Sequence, residues 1–491
     1  MHARRLRLAG ATDGTSAALR RTLAEIRAEL GVPERFPEEV LRAAAAAAQQ
    51  DVGVGDGAGR VDRRELPLVT LDPAGSRDLD QALHLARDGE GFVVHYAIAD
   101  VAAFVPAGGP VDAEARSRGV TLYGVDGRTP LHPPVLSEDA ASLLPDVDRA
   151  AALWTVRLDA DGVLVSAHVE RALVRSRRQL AYDELQAVLD DGAAPVDQTS
   201  GVDLAEVADL LRTVGTLRQA RERARGGVSL DVPEQVVVAH DDGTSTLEFR
   251  SVLPVESWNA QLSLLVGIAA ARLMVDAGVG VLRTLPAADP LDVDRLRLRA
   301  GALGVEWPAG GDYADVLAGL DPRDPRSAAF RTAATTLFRG AAYQVLGDEE
   351  PVQHAALATF YAHVTAPLRR LVDRFGTEVC LALCAGTPVP AWVSAALPEL
   401  PAQMAAATRR EGQYQRACLD AVEAALLTGR EGAVFPATAV EEDVVQILAP
   451  AVEARIKGAG LTPGSTLRVR VESASIPDRA VRLAVVPDAG A

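Results

Sequence analysis

Lysine is almost absent from this 491-residue sequence: of its 50 lysine and arginine residues, all but Lys457 are arginine. A Walker A phosphate loop requires a lysine after its glycine pattern, and no such pattern precedes Lys457. Protein kinases need a lysine on an early strand, and pyridoxal phosphate enzymes need one in their core. The glycine-rich stretch 51–59 follows no strand pattern, which argues against a dinucleotide loop. We therefore expect no nucleotide cofactor.

Cysteine is also scarce, and three residues cannot build a disulfide framework. Cys380 and Cys384 lie one helical turn apart in an apolar stretch with no CxxC or HxxxH pattern nearby, which favours core packing over zinc binding. The net charge of −17 excludes a uniformly basic surface for nucleic acid. It remains compatible with a local groove lined by arginine.

Long apolar segments are missing as well. The first ten residues carry charge but lack the apolar core of a signal peptide. The longest apolar run, 262–271, ends at Arg272 and is shorter than the roughly 20 residues that a transmembrane helix requires. We therefore expect a soluble, cytoplasmic protein without membrane contact.

The hydrophobic pattern divides the chain into three parts. Helical spacing and a glycine-rich end indicate an N-terminal helical module and linker over 1–60, for which a helix-turn-helix-like unit is one interpretation. The part 61–428 begins with strands and continues with helices predicted over 204–225, 256–276, 292–303, 327–346, 366–384 and 402–428. Short strands over 429–491 predict a small barrel of oligonucleotide-binding type. Arg468 and Arg470 lie on one face of a predicted strand there. They could contact RNA, or they could be ordinary surface charge.

Three aspartates follow a predicted strand closely: Asp72, Asp78 and Asp80. The strand runs into Asp72, a Pro-Ala-Gly turn comes next, and Asp78 and Asp80 are expected to project to one side. Carboxylates this close repel one another unless a cation lies between them. Mg²⁺ takes carboxylate oxygens and completes its octahedron with water and phosphate. A solvated turn in which Asp78 caps a helix is the alternative, and the loop alone does not decide between them.

Further motifs follow this aspartate loop in order along the chain. They are the strand ending at Asp100, the segments 121–137, 141–145, 175–182 and 225–234, the helix start at Glu256, and the segment 361–373. Over residues 66–376 these motifs resemble the RNB domain of the RNase II / RNase R exoribonuclease family. The resemblance implies an α+β protein. The RNB catalytic fold, a mixed sheet packed by long helices, would lie between the N-terminal helical module and a C-terminal S1/OB-like β-barrel.

The resemblance implies an activity as well. RNB domains hydrolyse single-stranded RNA from its 3′ end and release nucleoside 5′-monophosphates, using magnesium held by four clustered acidic residues. Asp72, Asp78 and Asp80 match three of these positions, and Asp80 is expected to be the chemically decisive one. The expected cofactor is one or two Mg²⁺ ions, for which Mn²⁺ can substitute. The expected partner is single-stranded RNA, bound by a monomer.

Gln81 stands where the family has its fourth acidic residue, and this is the main departure from the pattern. Its amide oxygen can bind Mg²⁺ or a coordinated water, so Gln81 is included among the predicted metal ligands, although it cannot act as a base. An active, metal-dependent nuclease is expected. The alternative is a catalytically weakened or inactive RNA-binding protein of the same fold. Restoring aspartate at position 81 is expected to raise activity or Mg²⁺ affinity.

The resemblance also assigns RNA contacts. Arg369 and Arg370 follow a proline at the start of a predicted helix, and Arg369 matches a catalytic phosphate ligand. Tyr123 matches a residue that stacks on the 3′-terminal base, Leu230 stands at the second stacking position, and Glu256 matches a groove residue. Without the resemblance, Arg369 and Arg370 could equally be solvated residues at a helix start. Tyr123 would then be a half-buried packing residue, and Glu256 could equally be a charge that complements the helix dipole.

Overall fold

The computed structural model describes residues 6–9, 17–50, 53, 59–191, 201–229, 234–239, 245–250, 252–320, 325–447 and 449–487. The N-terminal segment contributes β1 (Leu6–Ala9), α1 (Ala17–Glu29) and α2 (Glu38–Ala47). The first strands and helices of the central region are β2 (Val61–Asp62), β3 (Leu68–Asp72), β4 (Gln81–Asp88), β5 (Gly91–Ala99), α3 (Pro110–Arg118), β6 (Leu122–Gly124), β7 (Gly127–Thr129), β8 (Asp148–Leu158), β9 (Leu164–Ala181), α4 (Tyr182–Asp191) and α5 (Leu204–Ala224).

The second half of the central region is mainly helical. Its elements are β10 (Glu234–Ala239), β11 (Ser245–Arg250), α6 (Pro254–Ala277), β12 (Val281–Thr284), α7 (Pro290–Leu303), α8 (Tyr313–Ala318), α9 (Pro325–Ala334), β13 (Ala342–Val345), α10 (Leu371–Ala385), α11 (Ala391–Ala396) and α12 (Leu400–Leu427). The C-terminal strands are β14 (Val434–Glu441), β15 (Val444–Ile447), β16 (Val452–Arg455), β17 (Thr466–Ser475) and β18 (Ala480–Val486).

The central sheet has the order β2-β9-β3-β4-β5-β8, and the long strand β9 also pairs with β8, so the sheet closes on itself. Residues 68–71 of β3 are all buried, as expected for a strand covered on both faces. Strand β3 ends at Asp72, and β4 begins at Gln81 in antiparallel register with Ile98 of β5. The intervening aspartate loop, 73–80, therefore lies at one edge of this sheet.

The N-terminal helices pack onto the central region. In α1, Leu19, Leu23 and Ile26 recur at helical spacing, are buried, and face α12, whereas α2 packs against α3. The predicted helices are therefore present. The segment is not purely helical, however, because β1 pairs in parallel with β10.

Helix α6 is the only described helix that is long and apolar enough to cross a membrane by length and composition. It packs against α5, α10 and α4, and its buried residues belong to the main hydrophobic core. Its apolar character is therefore that of a core helix.

Two predicted helices differ from the structure. Only the first part of the helix expected over 327–346 is helical, as α9 and a short 3₁₀ turn. Ala342–Val345 instead forms β13, which pairs with β12. Gly340, with a φ of +86°, turns the chain between them. The helix expected from 366 begins only at Leu371, because Asp373 and Asp80 bind the backbone amides of Ala366 and Leu368 in a preceding turn.

The C-terminal strands form a five-stranded antiparallel sheet of order β16-β15-β14-β17-β18. Val469 and Val471 of β17 face its core, and Arg468 and Arg470 alternate with them and are exposed, as the sequence predicts. Helix α12 packs against β17 and β18 and joins this sheet to the central region.

Candidate active site

Asp80 lies at the centre of the candidate site. Its side chain is buried, its Oδ1 accepts a hydrogen bond from the Leu368 amide at 2.7 Å, and its Oδ2 lies 3.2 Å from Nε of Arg369. Burial raises the pKa of Asp80 to about 8 even though Arg369 and the Leu368 amide oppose the shift. Residues nearly 290 positions apart in sequence thus place a carboxylate and a guanidinium side by side.

Asp78 is bound by an arginine that the sequence analysis did not identify. Arg128 forms an ion pair with Asp78 through Nη1 and one with Glu138 through Nη2, the latter at 2.8 Å. Arg128 lies on β7, immediately after the hairpin turn that follows Tyr123. Arg128 lies inside the segment 121–137 that the sequence analysis singled out, which could have marked it as a candidate. The sequence gives no indication, however, that Arg128 contacts Asp78.

Asp72 completes the group of three aspartates. Burial raises the pKa of Asp72 to about 7, Arg369 opposes the shift, and Asp78 adds to it. Asp78 also raises the pKa of Asp80, so the three carboxyl groups share one electrostatic environment. Asp78 thus influences the ionisation of both other aspartates that the sequence analysis selected, so the three lie in one region of the structure.

The oxygen donors of this group suit a hard divalent cation, because a bound cation would favour the ionised form of Asp72 and Asp80, which burial disfavours. Arg128 and Arg369 compensate part of that charge. Within the described part of the chain, however, no three His, Cys, Asp or Glu side chains are arranged so that they could hold a metal ion. Magnesium binding by Asp72, Asp78 and Asp80 stays a prediction.

Arg369 and Arg370 have different surroundings. The Arg369 side chain is 49% exposed and touches Asp80. Arg370 binds both oxygens of Asp373, at 2.5 and 2.8 Å, and the Asp373 side chain is fully buried. Burial lowers the pKa of both arginines, but their neighbours together raise it: Asp80, with Tyr123 and Asp373, for Arg369, and chiefly Asp373 for Arg370. Arg369 therefore presents a guanidinium to the site, whereas that of Arg370 is held by its own helix.

Tyr123 lies on β6, beside the aspartates. Burial raises the pKa of Tyr123 to about 12, and Arg369, Asp78, Asp80 and Arg128 all act on it electrostatically. The structure thus brings the predicted stacking residue together with the predicted catalytic pair. Its stacking role stays a prediction.

Gln81 turns its amide into the protein. Its Nε2 donates to the Thr365 carbonyl oxygen at 2.6 Å, and its Oε1 accepts from the Tyr96 hydroxyl at 2.5 Å and from Ser263 at 3.2 Å. Metal ligation by Gln81 would require Oε1 to leave these partners. The sequence analysis had no signal for them, because the nearest partner in sequence is 15 residues away.

Glu256 and Leu230 are the remaining predicted residues. Glu256 lies in the first turn of α6 and forms an ion pair with Arg250. One turn later, Asn259 donates to the Leu71 carbonyl beside Asp72 at 3.4 Å, which ties α6 to the end of β3. Leu230 lies outside the described residues.

Comparison with known families identifies two matches. The RNB domain matches residues 60–376, and the RNase II-type exonuclease C-terminal S1 domain matches residues 433–486. Ribonuclease R of Escherichia coli (strain K12) is 30% identical over 327 residues, which cover 64% of this chain and 39% of that protein. The match thus spans well under half of the relative.

Solved structures share the fold. The structure of Mycoplasma genitalium RNase R in complex with ribose methylated single-stranded RNA has a TM-score of 0.84 at 17% identity, covering 96% of this chain and 78% of that one. Yeast Ssd1, described as a pseudonuclease, has a TM-score of 0.67 at 15% identity, covering 90% and 56%. The fold thus occurs in a nuclease and in a pseudonuclease.

Proposed function

The chain belongs to the RNB-domain family, and from its site we propose that it is a Mg²⁺-dependent exoribonuclease that hydrolyses single-stranded RNA from the 3′ end to nucleoside 5′-monophosphates. The observation that carries the proposal is the contact between Asp80 and Arg369 beside Asp72 and Tyr123. A relative named ribonuclease R and a fold neighbour solved in complex with single-stranded RNA support the choice of substrate.

Arg369 would bind the scissile phosphate. Its Nε faces Asp80, and half of its side chain is open to solvent, which leaves the outer guanidinium nitrogens able to donate to phosphate oxygens. The charge that develops on these oxygens during hydrolysis would strengthen such bonds in the transition state.

Asp72, Asp78 and Asp80 would hold the metal. A bound Mg²⁺ supplies water activation and stabilisation of the leaving 3′-oxygen. The Leu368 amide fixes the orientation of the Asp80 carboxylate, so this group is positioned before substrate arrives. Asp78 would exchange its contact with Arg128 for the metal, and Arg128 would remain close to the RNA strand.

Tyr123 would stack on the terminal base. Stacking of this kind contributes about 1–3 kcal/mol for each base and tolerates any sequence, as a non-specific exonuclease requires. The exposed Arg468 and Arg470 of the C-terminal sheet would add contacts to the phosphate backbone.

A test uses a 5′-labelled oligoribonucleotide incubated with the protein and Mg²⁺, with and without EDTA. The proposal predicts a ladder that shortens from the 3′ end, stops with EDTA, and resumes when Mg²⁺ or Mn²⁺ is added. Asp88→Asn is a suitable control variant, because Asp88 lies at the exposed end of β4 and pairs with the exposed Arg157. It should shorten the RNA at the wild-type rate.

One observation favours a second candidate. Gln81 replaces an acidic residue of the family pattern, and the fold is shared with a pseudonuclease. An RNA-binding protein with weak or absent hydrolysis would bind the labelled oligonucleotide in the same assay without producing a ladder.

A further inference from the structure

We propose that Gln81 is a positioning residue that holds the turn carrying Arg369, and not a replacement metal ligand; this inference rests on the proposed function. Gln81 is adjacent to Asp80, and the two residues bind the same turn at two points. Asp80 accepts from the Leu368 amide, and Gln81 donates to the Thr365 carbonyl oxygen.

The turn between Thr365 and Leu371 positions Arg369. Within it, the amides of Arg369 and Arg370 donate to the Ala366 carbonyl oxygen at 3.2 and 2.9 Å, and the Ala366 amide donates to Asp373 at 2.7 Å. The bond from Gln81 reaches the carbonyl that directly precedes this amide. Gln81 therefore fixes the start of the turn, and Asp80 fixes its middle.

The hydrogen-bond partners determine the orientation of the Gln81 amide. A backbone carbonyl oxygen only accepts, so the atom facing Thr365 at 2.6 Å has to be the NH₂ group. The amide oxygen then faces the Tyr96 hydroxyl, whose residue is fully buried. Both ends of the amide are thus used inside the protein, where breaking such bonds is costly.

A carboxylate cannot make the same contacts. It has no proton to donate to the Thr365 carbonyl, and it would place a negative charge against that oxygen and beside Asp80. Aspartate is also one methylene shorter than glutamine. On this proposal, aspartate at position 81 should lower activity rather than raise it, which is the opposite of the expectation drawn from the sequence.

The test compares Gln81→Met and Gln81→Glu with the wild type in the full chain. Methionine is similar in size and neutral and cannot donate, whereas glutamate keeps the acceptors and adds a potential metal ligand. Both variants should lower kcat about tenfold to a hundredfold, the cost of displacing a catalytic group. RNA affinity measured in EDTA should not change. The Mg²⁺ concentration for half-maximal activity of Gln81→Met should equal that of the wild type.

Gln344→Glu is the matched control. The amide of Gln344 also donates to a backbone carbonyl, that of Glu350 at 2.9 Å, but that contact does not involve the Arg369 turn. Its kcat should stay at the wild-type value. A higher Mg²⁺ requirement in Gln81→Met, together with a lower one and full kcat in Gln81→Glu, would identify Gln81 as a metal ligand and overturn the proposal.

Hydrogen exchange separates this inference from the proposed function. The amides of Ala366, Leu368, Arg369 and Arg370 should exchange faster in Gln81→Met than in the wild type, whether or not either protein hydrolyses RNA. If neither Gln81 variant folds, Tyr96→Phe removes the hydroxyl that orients the amide and should show a smaller effect of the same sign. Unchanged exchange in a folded variant contradicts the inference. A wild type that does not shorten RNA contradicts only the proposed function.

Discussion

Arg369 and Arg370 are neighbours in sequence, but they have different partners and different exposure in the structure. Arg369 is half exposed against a buried aspartate of the site, whereas both oxygens of buried Asp373 bind Arg370. A guanidinium on the surface of a site is available to substrate, and one paired in the interior supports the fold. The two arginines should therefore respond differently to the same substitution.

Arg369→Ala should lower kcat about 10²–10³-fold, as removal of a preorganised donor to the transition state does. The free energy of unfolding should change less than in Arg370→Ala, because Arg369 is half exposed and because Asp80, whose pKa burial raises to about 8, can take up a proton and keeps its hydrogen bond from Leu368. Steady-state kinetics on a labelled oligoribonucleotide and a urea titration measure the two quantities. Arg87→Ala, an exposed arginine on β4 that lies over Phe92, is the control and should keep its kcat.

Arg370→Ala should instead destabilise the protein by about 3–5 kcal/mol, because it leaves the buried Asp373 carboxylate without its positively charged partner. Chemical denaturation measures this decrease. A variant with the stability of the wild type and a large drop in RNA affinity would show that Arg370 contacts RNA directly, as the sequence analysis predicted.

The hairpin β6–β7 is the element that links the N-terminal helix to the site. It carries Tyr123 and Arg128, and at its turn Asp126 accepts two hydrogen bonds from Arg27 of α1, at 2.6 and 2.8 Å. A Cβ atom added at Gly124 would overlap the hydroxyl group of a tyrosine on α12, so the hairpin packs closely against that helix. Helix α1 thus restrains the hairpin from its outer end.

Arg27→Ala should raise the KM for RNA about two- to fivefold, because a partly exposed ion pair contributes about 0.2–1 kcal/mol and here restrains the stacking residue. Its kcat should remain near the wild-type value. Arg21→Ala on the exposed face of the same helix is the control. Equal KM values for the two variants would show that α1 does not influence the hairpin.

Much of this arrangement could be predicted from sequence at the level of elements. Local patterns identified β3, the helices α5, α6 and α12, and the strand that places Arg468 and Arg470 on one face. The break at Gly340 and the turn before α10 were missed, because long-range hydrogen bonds and strand pairing override helical spacing there. The partners of Asp78 and Gln81 were missed for the same reason.

On the scale of the whole molecule, a net charge of −17 would have to coexist with the proposed binding of RNA, which is a polyanion. Local arginines at the site and on the C-terminal sheet would supply the attraction, while several other surface arginines, such as Arg64, Arg157 and Arg455, are paired with acidic residues. When salt is added, the logarithm of the RNA affinity falls, with a slope proportional to the number of phosphates that the protein neutralises.

Arg468→Ala combined with Arg470→Ala should lower RNA affinity and reduce the slope of log K against log salt by about 0.7 for each phosphate that the two arginines neutralise in the wild type. Fluorescence anisotropy over a salt series measures the slope. Arg455→Ala is the control, because Arg455 is exposed on the same sheet but pairs with Asp443. An unchanged slope in the double variant would mean that these arginines are ordinary surface charge.

The central claim is that Asp80, positioned beside Arg369, is required for hydrolysis, and the release of mononucleotides by Asp80→Asn tests it most directly. With Mg²⁺, the wild type should release nucleoside 5′-monophosphates from a single-stranded RNA. Asp80→Asn should bind the same RNA and release them about 10²–10³-fold more slowly. Release at the wild-type rate by the variant, or none by the wild type, would contradict the account.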